Sequence, residues 1–223
     1  MAFGLFLGME HALDADHVVA VSAIVSESRS LFRSLLIGIV WGIGHTATLL
    51  VVGFFLLFFG ITPPPWVAFS AEFLVGIILI LLGVQILWKY NRKRTHAHFH
   101  RHGDEAHIHF HSHEVTDAHT HEHHGPRMRK PLFVGLAHGV AGSAALMFVV
   151  LSKIQSPFVG VFYILAFGLG SILGMLVISV FIGLPFLLTG GRFQRFHAGA
   201  RIAAGLLSIV LGCSISLETL WLW

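Results

Sequence analysis

The chain is poor in charge and nearly without cysteine. Asp, Glu, Lys and Arg make up 11% of its 223 residues, against about 25% in a soluble globular domain. Hydrophobic residues reach 55% and mean hydropathy is +0.80. This composition points to a polytopic membrane protein. Cys213 is the sole cysteine, which excludes an internal disulfide, CxxC zinc or redox motifs, and thiol relays that need cysteine pairs. No Walker A motif occurs, so the chain does not itself hydrolyse ATP, and nothing in the sequence indicates a separate ATPase subunit. The N-terminus lacks a basic flank, and Glu10 interrupts its apolar run. It reads as a retained span, not a cleaved signal. The pI near 9.4 does not imply nucleic acid, because the basic residues lie between apolar runs instead of forming a patch.

What is present is a series of long apolar stretches. A spanning helix needs roughly 20 mostly apolar residues, and six segments qualify: 2–26, 34–60, 66–88, 131–152, 158–188 and 200–222. Backbone groups must satisfy each other in lipid, so these are expected as helices. The fifth is too long for a straight crossing, and its glycines and Pro185 suggest a tilt, kink or break. Thirteen of the fourteen Lys and Arg residues fall in alternate loops: after spans one and three, and after span five up to Arg201. The exception is Lys153. Positive charge stays inside, so both termini are expected outside the cell membrane and the long loop in the cytoplasm.

The two halves resemble each other. GMEHALDADHVVAVS, 8–22, aligns with GLAHGVAGSAALMFV, 135–149, and matches His11 to His138. WGIGHTATLLVVG, 41–53, aligns with FGLGSILGMLVIS, 167–179, and matches His45 to Ser171. VGIILILLGVQIL, 75–87, aligns with AGLLSIVLGCSIS, 204–216. Each unit has an odd number of spans, so the second enters from the opposite side. The expected fold is all-α: six transmembrane helices as two inverted three-helix repeats, 1–88 and 131–223, joined by a His-rich loop, 89–130. Inverted repeats are a transporter architecture with a midplane site.

The intramembrane polar residues are His11, Asp14, Asp16, His17, His45 and His138. A charge at the bilayer centre costs about 2.5–3.5 kcal/mol on insertion scales. No Lys or Arg lies mid-span to offset the acids. A metal cation, a proton or cavity water must do so, and histidine beside carboxylate favours a transition metal. His11 and His17 are six residues apart, so a straight helix would hold them about 9 Å apart along its axis and 120° apart around it. Either the helix is irregular here or the ligands form a ladder. Asp14 can pair with a histidine, and Asp16 can orient one from behind. His45 and His138 can also be structural, bonding neighbouring helices. Glu72 and Glu218 lie toward span ends and are expected to face water. Ser143, Ser171, Thr46 and Thr48 fit helix packing.

HALDADH resembles the H-x4-D-H signature of the nickel/cobalt transporter family, met by His11, Asp16 and His17. GIGHTATLLVVG resembles that family's second motif, and GLAHGVAGSAAL resembles the second-half motif of its urease-accessory permeases and nickel/cobalt-efflux relatives. The resemblance implies transport of Ni²⁺, and of Co²⁺, with the first motif essential for recognition. The chain has fewer spans than larger members and lacks acids between Glu122 and Glu218.

Residues 96–124 hold twelve of the seventeen histidines: His96, His98, His100, His102, His107, His109, His111, His113, His119, His121, His123 and His124. Such a tract is metal-binding by composition. It offers almost no core and is expected to be disordered without metal. Its affinity falls below about pH 6.5 as imidazole protonates. It can buffer incoming metal, sense load or collect metal for export, but it cannot set selectivity.

The sequence thus points to a Ni²⁺/Co²⁺ permease working in uptake, with metal as cargo and no cofactor. Efflux is the alternative. Storage or a urease-accessory role without transport is a second, and it leaves His11, Asp16 and His17 unexplained. A metalloenzyme is disfavoured because HALDADH lacks the HExxH spacing. A haem protein would show an intense visible band.

Overall fold

The computed structural model describes residues 2–26, 30–62, 64–92, 97–102, 105–110, 128–141, 150–151, 153–154, 156–188 and 194–221. In chain order the elements are α1 (Ala2–His11), α2 (Ala15–Val25), α3 (Leu31–Phe59), α4 (Pro65–Arg92), β1 (Ala97–His102), β2 (Glu105–Phe110), α5 (Arg129–His138), α6 (Pro157–Leu188) and α7 (Gln194–Trp221). Among the described residues, four helices are long and apolar enough to cross a membrane: Leu31–Phe59, Pro65–Tyr90, Pro157–Pro185 and His197–Trp221. They lie in α3, α4, α6 and α7. A shorter apolar helix covers Ala15–Val25.

Two of the six expected spans therefore differ from simple crossings. The first is two helices, α1 and α2, separated at Ala12–Asp14. The fourth is helical over Arg129–His138 and then turns at Gly139–Ala141. Both helices end on a histidine, and α1 and α5 are each 10 residues long. The fifth is continuous despite its glycines and Pro185: α6 runs for 32 residues, about 48 Å at 1.5 Å per residue. That exceeds a hydrocarbon core of about 30 Å, so α6 must tilt or project.

The halves interlock. The main packing partners are α4 with α7, α3 with α6, α1 with α6, and α3 with α5. Each pair takes one helix from either half. Glycines set how closely they approach. A Cβ on Gly8 would strike the backbone carbonyl of Phe167, and one on Gly135 that of Trp41. Gly76 lies against Gly212, and Gly83 against Gly205. Small residues give such close approach in membrane bundles, where no hydrophobic force pulls helices together. Ser208 Oγ, buried between α7 and α4, donates to the Leu79 carbonyl at 2.7 Å. α3 stops at Gly60, whose φ of 64° only glycine adopts freely; its N–H returns to the Leu56 carbonyl at 3.0 Å.

The main core unites Val21, Val25, Ile37, Trp41, Leu79, Met175 and Ile178, and a second cluster unites Leu49, Leu151, Tyr163, Ile164 and Phe167. At the end of the bundle where α2 stops and α3 starts, Arg201 Nε donates to the Ser26 carbonyl at 3.0 Å. Lys130 Nζ donates to Gln85 Oε1.

The loop departs from expectation over part of its length. β1 and β2 pair antiparallel, Ala97 opposite Phe110 and His102 opposite Glu105. Alternation of His with Phe, Ile and Ala matches the two-residue period of a strand, which explains order where composition alone implies none. His96 and 111–127 lie outside the described residues, and so do the histidines at 111, 113, 119, 121, 123 and 124.

Candidate metal site

The break in the first segment builds the site. Leu13 N–H bonds the Glu10 carbonyl at 2.8 Å and Asp14 N–H the His11 carbonyl at 3.1 Å. These are three-residue turns that tighten a helix end. Asp14 then starts α2 with ψ of 145°, but its carboxylate makes no cap bond. It lies instead 2.7 Å from His11 Nδ1. With the helix restarted, His11 and His17 no longer stand a turn and a half apart. Their ring centroids are 4.7 Å apart. Of the two arrangements compatible with the spacing, the irregular helix is the one observed.

Four buried imidazoles gather here. His17 is the hub: its ring lies 4.7 Å from His11, 5.3 Å from His45 and 5.1 Å from His138. His11 and His45 are 5.2 Å apart. Ligand atoms of His11, His17 and His45 lie within 4.8 Å of one another, as do those of Asp14, Asp16 and His17. α3 supplies His45 from the face that also carries Trp41. α5 delivers His138 at its last residue.

Hydrogen bonding aims the rings. His138 Nδ1 lies 2.9 Å from the Val134 carbonyl. A carbonyl only accepts, so Nδ1 carries the proton and the Nε2 lone pair is free. His17 Nδ1 donates to Asp16 Oδ1 at 3.1 Å in the same sense. Metal-ligating histidines typically donate their second nitrogen to a carboxylate or carbonyl in this way. Among the described residues, Nε2 of His11, His17, His45 and His138 is buried without a hydrogen-bond partner, and so is Nδ1 of His45. An unsatisfied buried polar group costs about 1–3 kcal/mol, so these five together approach the 5–15 kcal/mol stability of a typical domain. One cation would satisfy several at once. Asp16 Oδ2 lies 3.9 Å from His138 Nε2, a gap that a cation with bonds of about 2 Å can bridge. α1 and α5 both end at the cluster, and the partial negative charge of a helix C-terminus favours cations.

A cavity of about 220 Å³ leads to it, lined by Leu7, Glu10, His11, Asp14, Val150, Tyr163 and Phe167. Of the four histidines only His11 lines this cavity; His17, His45 and His138 are sealed at 0–1% exposure.

All six intramembrane candidates thus fall in one neighbourhood. Asp14 is the most open, its side chain 53% exposed beside His11. Ser171 is fully buried on α6 with Oγ unpartnered among the described residues, and its backbone lies against Gly8. Ser143 lies outside the described residues. Thr46 Oγ1 donates to the Gly42 carbonyl and Thr48 Oγ1 to the Gly44 and Leu136 carbonyls, consistent with helix packing. Glu218 accepts from Ser214 on an exposed face.

Two neighbours were not picked out from the sequence. Trp41 lies 5.1 Å from the His138 ring and 6.3 Å from that of His17. Phe167 lies 5.5 Å from that of His11. Glu10, which interrupts the first apolar run in the sequence, also lines the cavity. The signal for the aromatics was in the repeat, which places Trp41 opposite Phe167.

Comparison with known proteins agrees with a membrane scaffold. Residues 51–214 match the family described as the cytochrome C biogenesis protein transmembrane region. Cys213 is the one cysteine, exposed on α7, so the match carries a scaffold and not a dithiol. The chain is 39% identical over 212 residues to the urease accessory protein UreH of Bacillus sp. (strain TB-90), covering 95% of this chain and 88% of the relative. No solved structure matches.

Proposed function

Because the chain belongs to the nickel/cobalt transporter family in its urease-accessory branch, and by its helical region to the cytochrome C biogenesis transmembrane family, we propose that it is a permease carrying Ni²⁺, and Co²⁺, into the cell. The observation that carries this reading is the convergence of four buried imidazoles whose Nε2 atoms have no hydrogen-bond partner among the described residues. The metal is cargo, and the missing counter-charge for Asp14 and Asp16 is the ion itself.

His11, with Glu10 and Asp14 at the cavity, receives the ion. His17, His45 and His138 hold it at mid-membrane depth, and Asp16 orients His17. Imidazole suits nickel and cobalt better than magnesium or calcium, which prefer all-oxygen ligands. The cavity that reaches His11 suits transport, since the ion must enter and leave.

The architecture is two inverted three-helix repeats. Support comes from the packing: exchanging α1 with α5, α3 with α6 and α4 with α7 maps the four main helix pairs onto one another. The exchange also maps the Gly8–Phe167 approach onto Gly135–Trp41, and Gly76–Gly212 onto Gly83–Gly205. The distribution of basic residues puts the His-rich tract in the cytoplasm and both termini outside. The cavity, lined from the first turns of α6 and from α1, then faces outward, as an uptake route needs. The tract buffers metal that has arrived.

Radioactive nickel accumulation tests this in cells expressing the wild-type chain or His17→Ala at equal membrane level. More nickel with the wild type supports uptake. Less means efflux through the same site. No difference contradicts the permease reading.

A further inference from the structure

Two aromatic side chains bracket the histidine cluster, and neither has a part in holding metal. Phe167 touches the His11 ring and lines the cavity. Trp41 touches the His138 and His17 rings on the other side, and it is fully buried. It belongs to the same apolar cluster as Val21 and Val25, one and two turns beyond His17 on α2, and Ile37, one turn before it on α3. That cluster blocks the way toward the end of the bundle where α2 stops and α3 starts. The two residues stand at matching places: Trp41 is four residues before His45, and Phe167 four before Ser171.

We infer that Phe167 and Trp41 are the two gates of one metal path, Phe167 closing it from the cavity side and Trp41 from the opposite side. This deepens the transport reading and rests on it. Each gate is tied to the half-helix that ends on a histidine. Gly8 of α1 packs on the Phe167 carbonyl, and Gly135 of α5 packs on that of Trp41. A shift of α1 with α6 moves Phe167 together with His11. A shift of α5 against α3 moves His138 relative to Trp41. The structure has the Trp41 side shut: His138, His17 and Trp41 are sealed, while a cavity reaches His11.

A second observation marks Trp41 as a moving part. Among the described residues its indole Nε1 is buried without an acceptor. A buried donor left unpaired is costly, and water entering from the far side would supply the acceptor. Shutting this side therefore carries a penalty that opening relieves. A ring that only filled space would have no such bias.

Thiol labelling tests the gate without depending on transport. In the full chain carrying Cys213→Ser, single reporters are placed at Leu7→Cys in the cavity and Val21→Cys beyond Trp41. Leu79→Cys, fully buried on α4, reports folding. Membrane vesicles open to both sides are treated with a small water-soluble maleimide. Leu7→Cys is expected to label and the other two to stay at background. Adding Trp41→Ala should raise Val21→Cys to the level of Leu7→Cys and leave Leu79→Cys unlabelled. Trp41→Phe should keep Val21→Cys shielded. If Leu79→Cys labels with Trp41→Ala, that chain has come apart, and Trp41→Leu takes its place in the same comparison. Val21→Cys at background in a folded Trp41→Ala or Trp41→Leu chain overturns the gate. Nickel flux separates the two ideas. Normal flux with Val21→Cys still shielded rejects the gate alone. The expected labelling in a wild-type chain that moves no metal keeps the gate as a solvent seal and rejects the transport reading.

Discussion

His17 contacts each of the other three histidines, and no other member of the cluster does so. Its loss should therefore do most harm. His17→Ala is expected to abolish nickel transport at unchanged membrane level, and Asp16→Ala likewise, because the carboxylate fixes the proton on His17 Nδ1. Asp16→Asn keeps an acceptor but not the charge. Partners of this kind typically contribute about 10–100-fold in metal affinity, so Asp16→Asn should weaken nickel binding by that order, read by competition with a chelator. Cys213→Ser should be silent in flux and in folding, since Cys213 is exposed away from the site. Wild-type flux in either alanine variant would discredit the assignment. These residues were legible one by one, because an ionisable group inside an apolar run is costly and needs a reason. Trp41 and Phe167 were not legible, because an aromatic in an apolar helix looks the same whether it packs against lipid, core or ligand.

The helices differ in what sequence reveals. α3, α4, α6 and α7 follow directly from long apolar runs bounded by turn residues and charges. The division of the first run into α1 and α2 does not, because Ala12 and Leu13 are good helix formers and neither Gly nor Pro marks the spot. The clue was indirect: the six-residue step from His11 to His17 puts them on different faces of a straight helix. The close packing of halves is also carried at this scale. Gly8→Leu or Gly135→Leu would drive a side chain into the carbonyl of Phe167 or Trp41. Overpacking of this sort costs about 1–3 kcal/mol, so both variants should unfold at lower temperature in detergent and lose flux. Gly199→Ala, on α7 where an added Cβ meets none of the described residues within 4 Å, should do neither. Equal unfolding temperatures for all three would show that close approach is not what holds the bundle.

At the scale of the molecule, a bundle with a buried site carries a histidine tract that is chemically similar but differently placed. The bundle's imidazoles are held by α1, α2, α3 and α5, while the tract's described part is a hairpin between α4 and α5. Deleting 96–124 should leave flux intact and change its response to metal load, measured as accumulation against external nickel. A folded, membrane-inserted deletion chain that moves no metal contradicts this division. The tract's own binding should fade below about pH 6.5, as neutral imidazole is lost. A sequence shows such a tract at once, but two sets of histidines that bind the same metals are told apart only by where the fold puts them.

Equilibrium binding of radioactive nickel to the purified chain lacking 96–124, compared with the same chain carrying His17→Ala, tests the central claim most directly. The account predicts a saturable site in the first chain that disappears in the second. Equal binding by both, or no binding by a deletion chain that still transports, would contradict a metal site built from the buried imidazoles.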